Sequence, residues 1–393
     1  MIKKNIKRLL PVKPYSFFLF GPRGVGKSTF LKSSFPNSLY VDLLDEKKYI
    51  ELSQHPDHLE AMAKGLSEKS WIIIDEIQKI PGLLDEIHRL IESNPFRFIL
   101  CGSSARKLRR AGTNLLAGRA ITFRMESFSF QELSNIIDLD FAIQWGTLPL
   151  VIKNQELAKD ILNAYVNTYI KEEIKEEGAV RHLPPFLRFL EIAGMMNGQV
   201  LNKQNIAREA SVPRSNVDVY FSILEDSLLG HFLPAYRPNL KVREQTHPKF
   251  FWFDPGVARA AAGLVFDQPD KLWLGTALET LIYHELRVYN HIAEKERNIY
   301  YYRTASGAEI DFVIETRKRQ FNTSPEIVCI EVKNAKKWDR RWEKNMRSIS
   351  DNTKVIVKKM IGIYRGESIF HYDGMDVFPL EIFLQKLFSG EIF

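Results

Sequence analysis

Short apolar runs recur at intervals in the N-terminal third of the chain. They occupy positions 15–20, 39–41, 71–74 and 98–101, and segments with helical spacing of apolar residues separate them. A continuous apolar run of this length is typical of a parallel strand that is buried on both faces. The pattern therefore predicts an α/β unit with a parallel sheet.

The pattern then becomes helical and later returns to strands. Helical segments are predicted at 155–175, 186–196, 205–210 and 216–229. Prolines between 234 and 255 indicate short edge strands or a linker. A longer helix is predicted at 275–289, and strands follow at 299–302, 309–314 and 327–332. We therefore predict an α/β multidomain fold with a helical middle.

The composition supports a globular, multidomain chain. Its 393 residues exceed the usual length of one domain, and the 45% of hydrophobic residues exclude a largely disordered protein. Cys101 and Cys329 both lie in apolar runs, so a disulfide framework is excluded. We expect a cytoplasmic protein with no membrane partner, because no stretch approaches the ~20 apolar residues of a transmembrane helix.

A phosphate-binding motif follows the first predicted strand. The sequence GPRGVGKS at 21–28 fits the Walker A pattern GxxxxGK[ST] and precedes a helical segment. Backbone N–H groups of such a loop wrap the β-phosphate, Lys27 neutralises phosphate oxygens and the Ser28 hydroxyl holds Mg²⁺. The predicted ATP-binding residues are Gly21, Pro22, Arg23, Gly24, Val25, Gly26, Lys27, Ser28 and Thr29.

Two further strands deliver polar residues to the same end of the predicted sheet. WIIIDE ends in Asp75, the expected Mg²⁺ anchor, and Glu76, which can polarise the attacking water. FILCGSS ends in Ser103 and Ser104, and spacing does not choose which hydroxyl contacts the γ-phosphate. An acidic pair at a strand end is common by itself, but the preceding phosphate motif favours a catalytic role.

A basic segment contains the predicted strand at 98–101 and the residues that follow it. Positions 96–125 contain seven Lys and Arg residues and no acidic residue. Arg119 is a candidate arginine finger that reaches the nucleotide of a neighbouring subunit, which implies a homo-oligomer. The alternative is a solvated basic loop.

Together these motifs resemble a known family. The layout GPRGVGKST, WIIIDEIQKIPGLLDEIHRLIE, FILCGSSARKL, LLAGR and ESFSFQEL is similar to prokaryotic AAA-type ATPases of the AAA_14 type that carry a DUF4143 domain downstream. The resemblance implies a P-loop AAA+ parallel-sheet core that uses Lys27, Ser28, Asp75 and Glu76 for ATP and Mg²⁺. The expected domains are an ATPase core at 1–150, a helical lid with a winged-helix-like part at 151–262, and a third domain at 263–393.

The middle region contains a candidate helix-turn-helix. A short helix, a turn at 211–213 and a longer helix follow one another, with Arg214, Ser215 and Asn216 opening the second helix. These side chains would face DNA in a winged helix. Acidic residues on the same helix favour the alternative, a helical unit that serves only as an interface.

The C-terminal region spaces acidic residues and a lysine in a recognisable order. Glu279 lies in GTALE on a helix, Asp311 follows SGAEI, and Glu331 and Lys333 share one face of a strand in IVCIEVK. Asp311 and Glu331 can converge on Mg²⁺ or Mn²⁺, Lys333 can orient a water, and Glu279 can act as an outer ligand.

This order resembles the PD-(D/E)xK nuclease-like fold, most closely the archaeal Holliday-junction resolvase pattern with GxxxE, SGxxxD and ExK. The resemblance implies a metal-dependent DNA nuclease domain. The alternative is a retained fold that does not cleave. A basic stretch at 333–347 with Trp338 and Trp342 fits nucleic acid, or equally a surface helix with its tryptophans packed inward.

The sequence thus predicts an ATP-hydrolysing protein coupled to a DNA nuclease domain. The alternative is an ATP-dependent molecular switch whose C-terminal domain binds DNA or a protein partner without cleavage, and a specific transcription regulator ranks last. The net charge of +7 agrees with a polyanionic partner, because the two basic segments, 96–125 and 333–347, together exceed it.

Overall fold

A computed structural model describes most of the chain. The described residues are 6–67, 69–103, 106, 108, 116, 118–133, 136–176, 180, 182–237, 247–304, 307–320, 323–352 and 355–393.

The N-terminal sheet has five parallel strands in the order β2-β3-β4-β1-β5. The strands are β1 Phe17–Phe20, β2 Leu39–Asp42, β3 Trp71–Asp75, β4 Arg97–Gly102 and β5 Ile121–Arg124. The prediction of a parallel-sheet α/β unit is confirmed. Strand β5 was not predicted.

Helices cover both faces of this sheet. They are α1 Lys27–Ser34, α2 Glu46–Gln54, α3 His58–Ala63 and α4 Leu83–Ser93, with a 3₁₀ turn at Ile77–Lys79. Successive strand side chains point to opposite faces. Phe18 and Phe20 pack with residues of α2, α3 and α4, whereas Phe17 and Leu19 pack on the other side.

The middle of the chain is helical and shares that second face. Its elements are α5 Phe130–Leu133, α6 Leu139–Trp145, α7 Pro149–Lys153, a 3₁₀ turn at Gln155–Leu157, α8 Ala158–Ala164, a π-helix at Tyr165–Ile170 and α9 Lys171–Glu176. Leu162 and Tyr165 belong to the same apolar core as Phe17 and Leu19. The middle helices therefore pack directly on the parallel sheet.

Three more helices and a hairpin follow. They are α10 Leu183–Met195, α11 Lys203–Glu209, α12 Arg214–Asp226, β6 Gly230–Leu233 and β7 Lys249–Trp252, and α13 Pro255–Ala261 comes next. Strands β6 and β7 pair in antiparallel register. All four residues of β7 are buried and pair with β6, which agrees with the predicted short strands and not with a linker at these positions.

The C-terminal unit is a six-stranded mixed sheet in the order β12-β13-β11-β10-β9-β8. Its elements are α14 Lys271–Ile292, β8 Asn298–Arg303, β9 Glu309–Arg317, β10 Glu326–Lys333, a 3₁₀ turn at Arg340–Glu343, α15 Lys344–Asn352, β11 Ile356–Tyr364, β12 Phe370–Tyr372, β13 Met375–Pro379 and α16 Leu380–Phe388. Strand β10 pairs antiparallel with β9 and parallel with β11. Among the described helices, none combines the length and apolar character that crossing a membrane requires.

Candidate functional site

The loop between β1 and α1 has the backbone that phosphate binding requires. Gly24 and Gly26 adopt φ angles of 84° and 92°, which side chains disfavour. A Cβ on Gly21 would lie 2.1 Å from the carbonyl oxygen of Met125. Glycine is therefore needed at all three positions to form this loop.

Lys27 is held inside the loop. Its side chain is buried, and Nζ donates to the carbonyl oxygens of Gly21 at 2.7 Å and Pro22 at 3.1 Å. These partners are neutral, so the loop itself places no carboxylate on the ammonium. The positive charge is consequently available to phosphate oxygens.

The hydroxyl and carboxylate predicted to hold Mg²⁺ lie side by side. Ser28 Oγ donates to Asp75 Oδ2 at 2.7 Å, and the hydroxyl of Tyr40 donates to the same oxygen. Burial and this hydrogen bond raise the pKa of Tyr40, so its hydroxyl stays protonated. A hard oxygen pair beside a phosphate loop fits Mg²⁺.

Glu76 is positioned by a residue that the motifs did not reveal. Gln78 Nε2 donates to Glu76 Oε2 at 2.5 Å and lies 3.4 Å from Ser103 Oγ. Gln78 is buried, and a Cβ on Gly102 would come within 2.3 Å of its Oε1. Gln78 thus connects the predicted base to the strand end that carries the predicted sensor. Ser104, the alternative sensor, lies outside the described residues.

The π-helix of the middle region contacts the phosphate loop. The hydroxyl of Tyr165 donates to the carbonyl oxygen of Arg23 at 2.8 Å, and the Arg23 guanidinium lies 5.1 Å from the centre of the Tyr169 ring. The rings of Tyr165 and Tyr169 meet edge-on at 5.9 Å. Tyr165 is buried, whereas Tyr169 is partly exposed beside the Arg23 guanidinium.

A cavity of about 540 Å³ adjoins the loop. It is largely apolar where Val25, Phe30 and Pro149 line it, and Gly26 and Thr29 border it. A flat, mostly apolar base can enter such a space next to the phosphates.

Arg119 pairs within its own chain. Its Nε contacts Glu92 Oε1 on α4, and its side chain is 37% exposed. The prediction that Arg119 acts on a neighbouring subunit stays a prediction. Several basic residues of the same segment, Lys107, Arg109 and Arg110, lie outside the described residues.

The four predicted C-terminal residues meet at one place. Glu279 extends from α14, Asp311 from β9, and Glu331 and Lys333 from β10. Lys333 Nζ lies 2.5 Å from Glu331 Oε1 and 3.9 Å from Asp311 Oδ2. The backbone N–H of Val332 also donates to Asp311 Oδ2 at 2.8 Å.

Burial and a neighbouring carboxylate raise the pKa values of Glu331 and Glu279. Burial, with a smaller contribution from Asp311, raises the pKa of Glu331 to about 8. The pKa of Glu279 is raised for the same reasons. Oε2 of Glu331 is buried and has no hydrogen-bond partner among the described residues.

Lys249 and Glu309, which the sequence prediction did not include, join this cluster. Lys249, the first residue of β7, brings Nζ to 2.5 Å from Glu309 Oε1 and 4.0 Å from Glu279 Oε2. Burial favours the neutral amine, but Glu279, Asp311 and Glu309 outweigh it and raise the pKa of Lys249. In the part of the chain that the structure describes, no three His, Cys, Asp or Glu side chains form a metal-binding group.

The aromatic residues after β10 pack inward in part. The ring of Trp338 meets that of Trp342 edge-on at 5.1 Å, and a Cβ on Gly362 would lie 2.5 Å from Trp338. Arg340 and Arg347 pair with Glu343. Lys336 and Lys337 remain exposed beside them.

The start of α12 faces solvent. Arg214 and Ser215 are exposed, whereas Asn216 is half-buried. Lys203 pairs with Asp218 on the same surface. This surface therefore carries both signs of charge.

Three family models match the chain in succession. Residues 13–134 match AAA_14, described as an AAA domain. The chain contains an AAA domain. Residues 136–268 match DUF8612, and residues 274–383 match DUF4143, both domains of unknown function. The AAA and DUF4143 assignments made from the sequence are thereby confirmed, while the nuclease-like fold stays a prediction.

The chain is similar to bacterial proteins described as uncharacterised. Relatives in Mycobacterium tuberculosis and Mycobacterium bovis are each 24% identical over 316 residues, covering 77% of this chain and 68% of the relative. A Haemophilus influenzae protein is 24% identical over 258 residues, covering 61% of this chain and 63% of that protein.

Two solved structures align over more than half of the chain. A RuvB mutant of Thermotoga maritima is 17% identical, with a TM-score of 0.31 and coverage of 56% of this chain and 82% of that one. Aeropyrum pernix ORC1 in complex with DNA is 14% identical, with a TM-score of 0.28 and coverage of 64% and 87%. Scores this low carry no argument about fold or function.

Proposed function

We propose that the chain binds ATP with Mg²⁺ at the loop after β1, hydrolyses it, and acts as a nucleotide-dependent switch on a nucleic-acid partner. The observation that carries this proposal is the meeting of Lys27, Ser28, Asp75 and Glu76 around one glycine-shaped loop. An AAA domain over the same residues supports it.

Each residue has a distinct task in this proposal. Lys27 turns from the loop carbonyls to the β- and γ-phosphate oxygens, while Ser28 and Asp75 hold the metal ion. A bound Mg²⁺ supplies charge neutralisation at the phosphates. Glu76 orients the attacking water and accepts its proton. Gln78 fixes the Glu76 carboxylate and thereby links it to Ser103.

The nucleic-acid part of the proposal has its own support. Lys336 and Lys337 are exposed near the aromatic pair of Trp338 and Trp342, and Arg214 is exposed at the start of α12. Cations of this kind contact phosphates. Oligomerisation, with Arg119 reaching a neighbouring nucleotide, is part of the same proposal. A mass measurement with a non-hydrolysable ATP analogue tests it.

The decisive experiment compares ATP hydrolysis by wild type and Lys27→Ala, each with and without DNA. The proposal predicts loss of hydrolysis in the variant and a DNA-dependent rate in wild type. An unchanged rate in Lys27→Ala would reject the site. If single-stranded, duplex and branched DNA all leave the ATP hydrolysis rate of wild type unchanged, the nucleic-acid partner is rejected.

Metal-dependent DNA cleavage is the second candidate, favoured by the convergence of Asp311, Glu331 and Lys333. Incubation of branched, duplex and single-stranded DNA with Mg²⁺ or Mn²⁺ tests it. Product patterns that are identical for wild type and Glu331→Ala would reject this candidate. Both lysines at the cluster pair with its carboxylates, so a metal ion would have to compete with them for these oxygens.

A further inference from the structure

The C-terminal cluster holds more carboxylates than its own sheet neutralises. Glu279, Glu309, Asp311 and Glu331 lie together, and the sheet supplies Lys333 and, beside Glu309 at 3.6 Å, Arg303. The remaining cation, Lys249, comes from β7, which belongs to the two-stranded hairpin before α13. The cluster is thus completed by another part of the chain.

The ammonium of Lys249 is enclosed and firmly placed. Lys249 is 3% exposed, and the three residues after it, Phe250, Phe251 and Trp252, are buried in the apolar cores. Nζ lies 5.4 Å from the centre of the Tyr301 ring, a contact that favours a desolvated cation. The side chain therefore stays at the cluster as long as β7 keeps its packing.

We propose that the Lys249 ammonium is the resident cation of this cluster and excludes divalent metal ions while β7 is docked. Mg²⁺ needs oxygen ligands at about 2.1 Å. Any ion that bound Glu279 and Asp311 would sit against a buried ammonium that already contacts Glu309 at 2.5 Å. Two cations at such short separation repel strongly when they are withdrawn from water.

One carboxylate oxygen of the cluster is available to a metal ion if Lys249 is withdrawn. Glu331 Oε1 is taken by Lys333, but Glu331 Oε2 is buried without a hydrogen-bond partner among the described residues. As placed, these carboxylates do not form a group of three metal ligands. With Lys249 gone, a divalent ion would have to draw Glu331 Oε2, Asp311 and Glu279 closer together in order to bind. Movement of β7 would therefore control metal access. Only this control of cleavage rests on the second candidate function; the exclusion of metal does not.

The test measures Mn²⁺ binding to the full chain by electron paramagnetic resonance, without nucleotide. All proteins carry Asp75→Asn, which silences the phosphate loop as a metal site. The parent is expected to bind no Mn²⁺ at the cluster, whereas Lys249→Met gains one ion with affinity increased by at least about tenfold. Lys249→Arg keeps the cation and is the matched control, with no gain expected.

Location and folding are checked with two more variants. Glu331→Gln added to Lys249→Met removes the new Mn²⁺ signal if the ion lies at the cluster. Lys249→Gln offers a polar replacement, and circular dichroism identifies which variants are folded. Binding by the parent that Glu331→Gln abolishes, or no gain in any folded variant that lacks the Lys249 cation, overturns the proposal. A folded Lys249→Met that binds Mn²⁺ but leaves DNA intact contradicts the cleavage candidate alone.

Discussion

The phosphate loop and the C-terminal cluster use the same residue types with opposite results. At the loop, Lys27 donates to two backbone carbonyls, and the Ser28–Asp75 pair has no ammonium on it in the contacts described. At the cluster, Lys249 and Lys333 contact carboxylates directly. We infer that the partner of the lysine, rather than its presence, decides whether a nearby carboxylate can bind a metal ion.

Removal of Lys249 should give the largest change in stability. Lys249→Met removes an enclosed cation from the half-buried carboxylates of Glu309 and Glu279, which costs about 4 kcal/mol of unfolding free energy. Lys203→Met, which breaks the more exposed pair with Asp218, should cost no more than about 1 kcal/mol. Urea unfolding of both variants measures the contrast. Equal losses would mean that the cluster does not depend on its ammonium.

Glu285 tests the packing of α14 against the start of α5. It is fully buried on α14, and Oε1 accepts from the backbone N–H of Phe130 at 2.8 Å. Burial raises its pKa to about 8 from the ordinary value of 4.5. Because the folded-state pKa is the higher one, wild type loses stability as pH rises from 4.5 to about 8.

The variant Glu285→Gln should not lose stability in this way as the pH rises, because the amide does not ionise. Its stability relative to wild type is expected to grow by about 3 kcal/mol between pH 5 and pH 8. Thermal and urea unfolding across that range measure the difference. A constant difference would show that Glu285 ionises normally in the folded chain.

At the loop, Glu76→Gln should slow hydrolysis about a hundredfold while ATP binding persists. The amide keeps the shape of the side chain but accepts no proton. Separate measurements of kcat and of ATP affinity distinguish the two effects. Equal losses in both would assign Glu76 to binding instead of proton transfer.

Tyr165→Phe should give the smallest change. Loss of the hydrogen bond to the Arg23 carbonyl removes about 1 kcal/mol from the closed loop, so ATP affinity shifts by about fivefold. Tyr289→Phe removes a hydroxyl that bonds Phe393 instead and is the matched control. If ATP affinity shifts equally in both variants, the hydrogen bond from Tyr165 to the loop does not contribute to ATP binding.

Sequence reasoning succeeded where local pattern and function coincide. Strands β1, β3 and β4 are continuous apolar runs that are buried almost throughout, and the glycine loop follows the first of them. In β2, at the edge of the sheet, only Val41 is buried. Glu279, Asp311, Glu331 and Lys333 were found because their order and spacing form a motif. The structure brings these four side chains together, and their roles in metal binding and cleavage stay a prediction.

Sequence reasoning failed where contacts between distant parts of the chain determine the structure. Strand β5 was missed because only Phe123 of its four residues is buried, so no apolar run marks it. In the sequence, Lys249 is a polar residue at the start of an aromatic strand. Its partners, Glu279 and Glu309, lie at least 30 residues away along the chain, so no local pattern connects them to it. Gln78 lies within the segment 71–92 that carries the family resemblance, but the sequence assigned it no role, because its contacts with Glu76 and Ser103 require the folded sheet.

Counting the Mn²⁺ ions bound by wild type tests the contrast between the two regions most directly. The measurement uses electron paramagnetic resonance with a non-hydrolysable ATP analogue, on wild type, Asp75→Asn and Glu331→Gln. We predict one ion per chain that requires nucleotide, disappears in Asp75→Asn and persists in Glu331→Gln. A second ion, or a single ion that Glu331→Gln removes and Asp75→Asn leaves in place, would contradict the account.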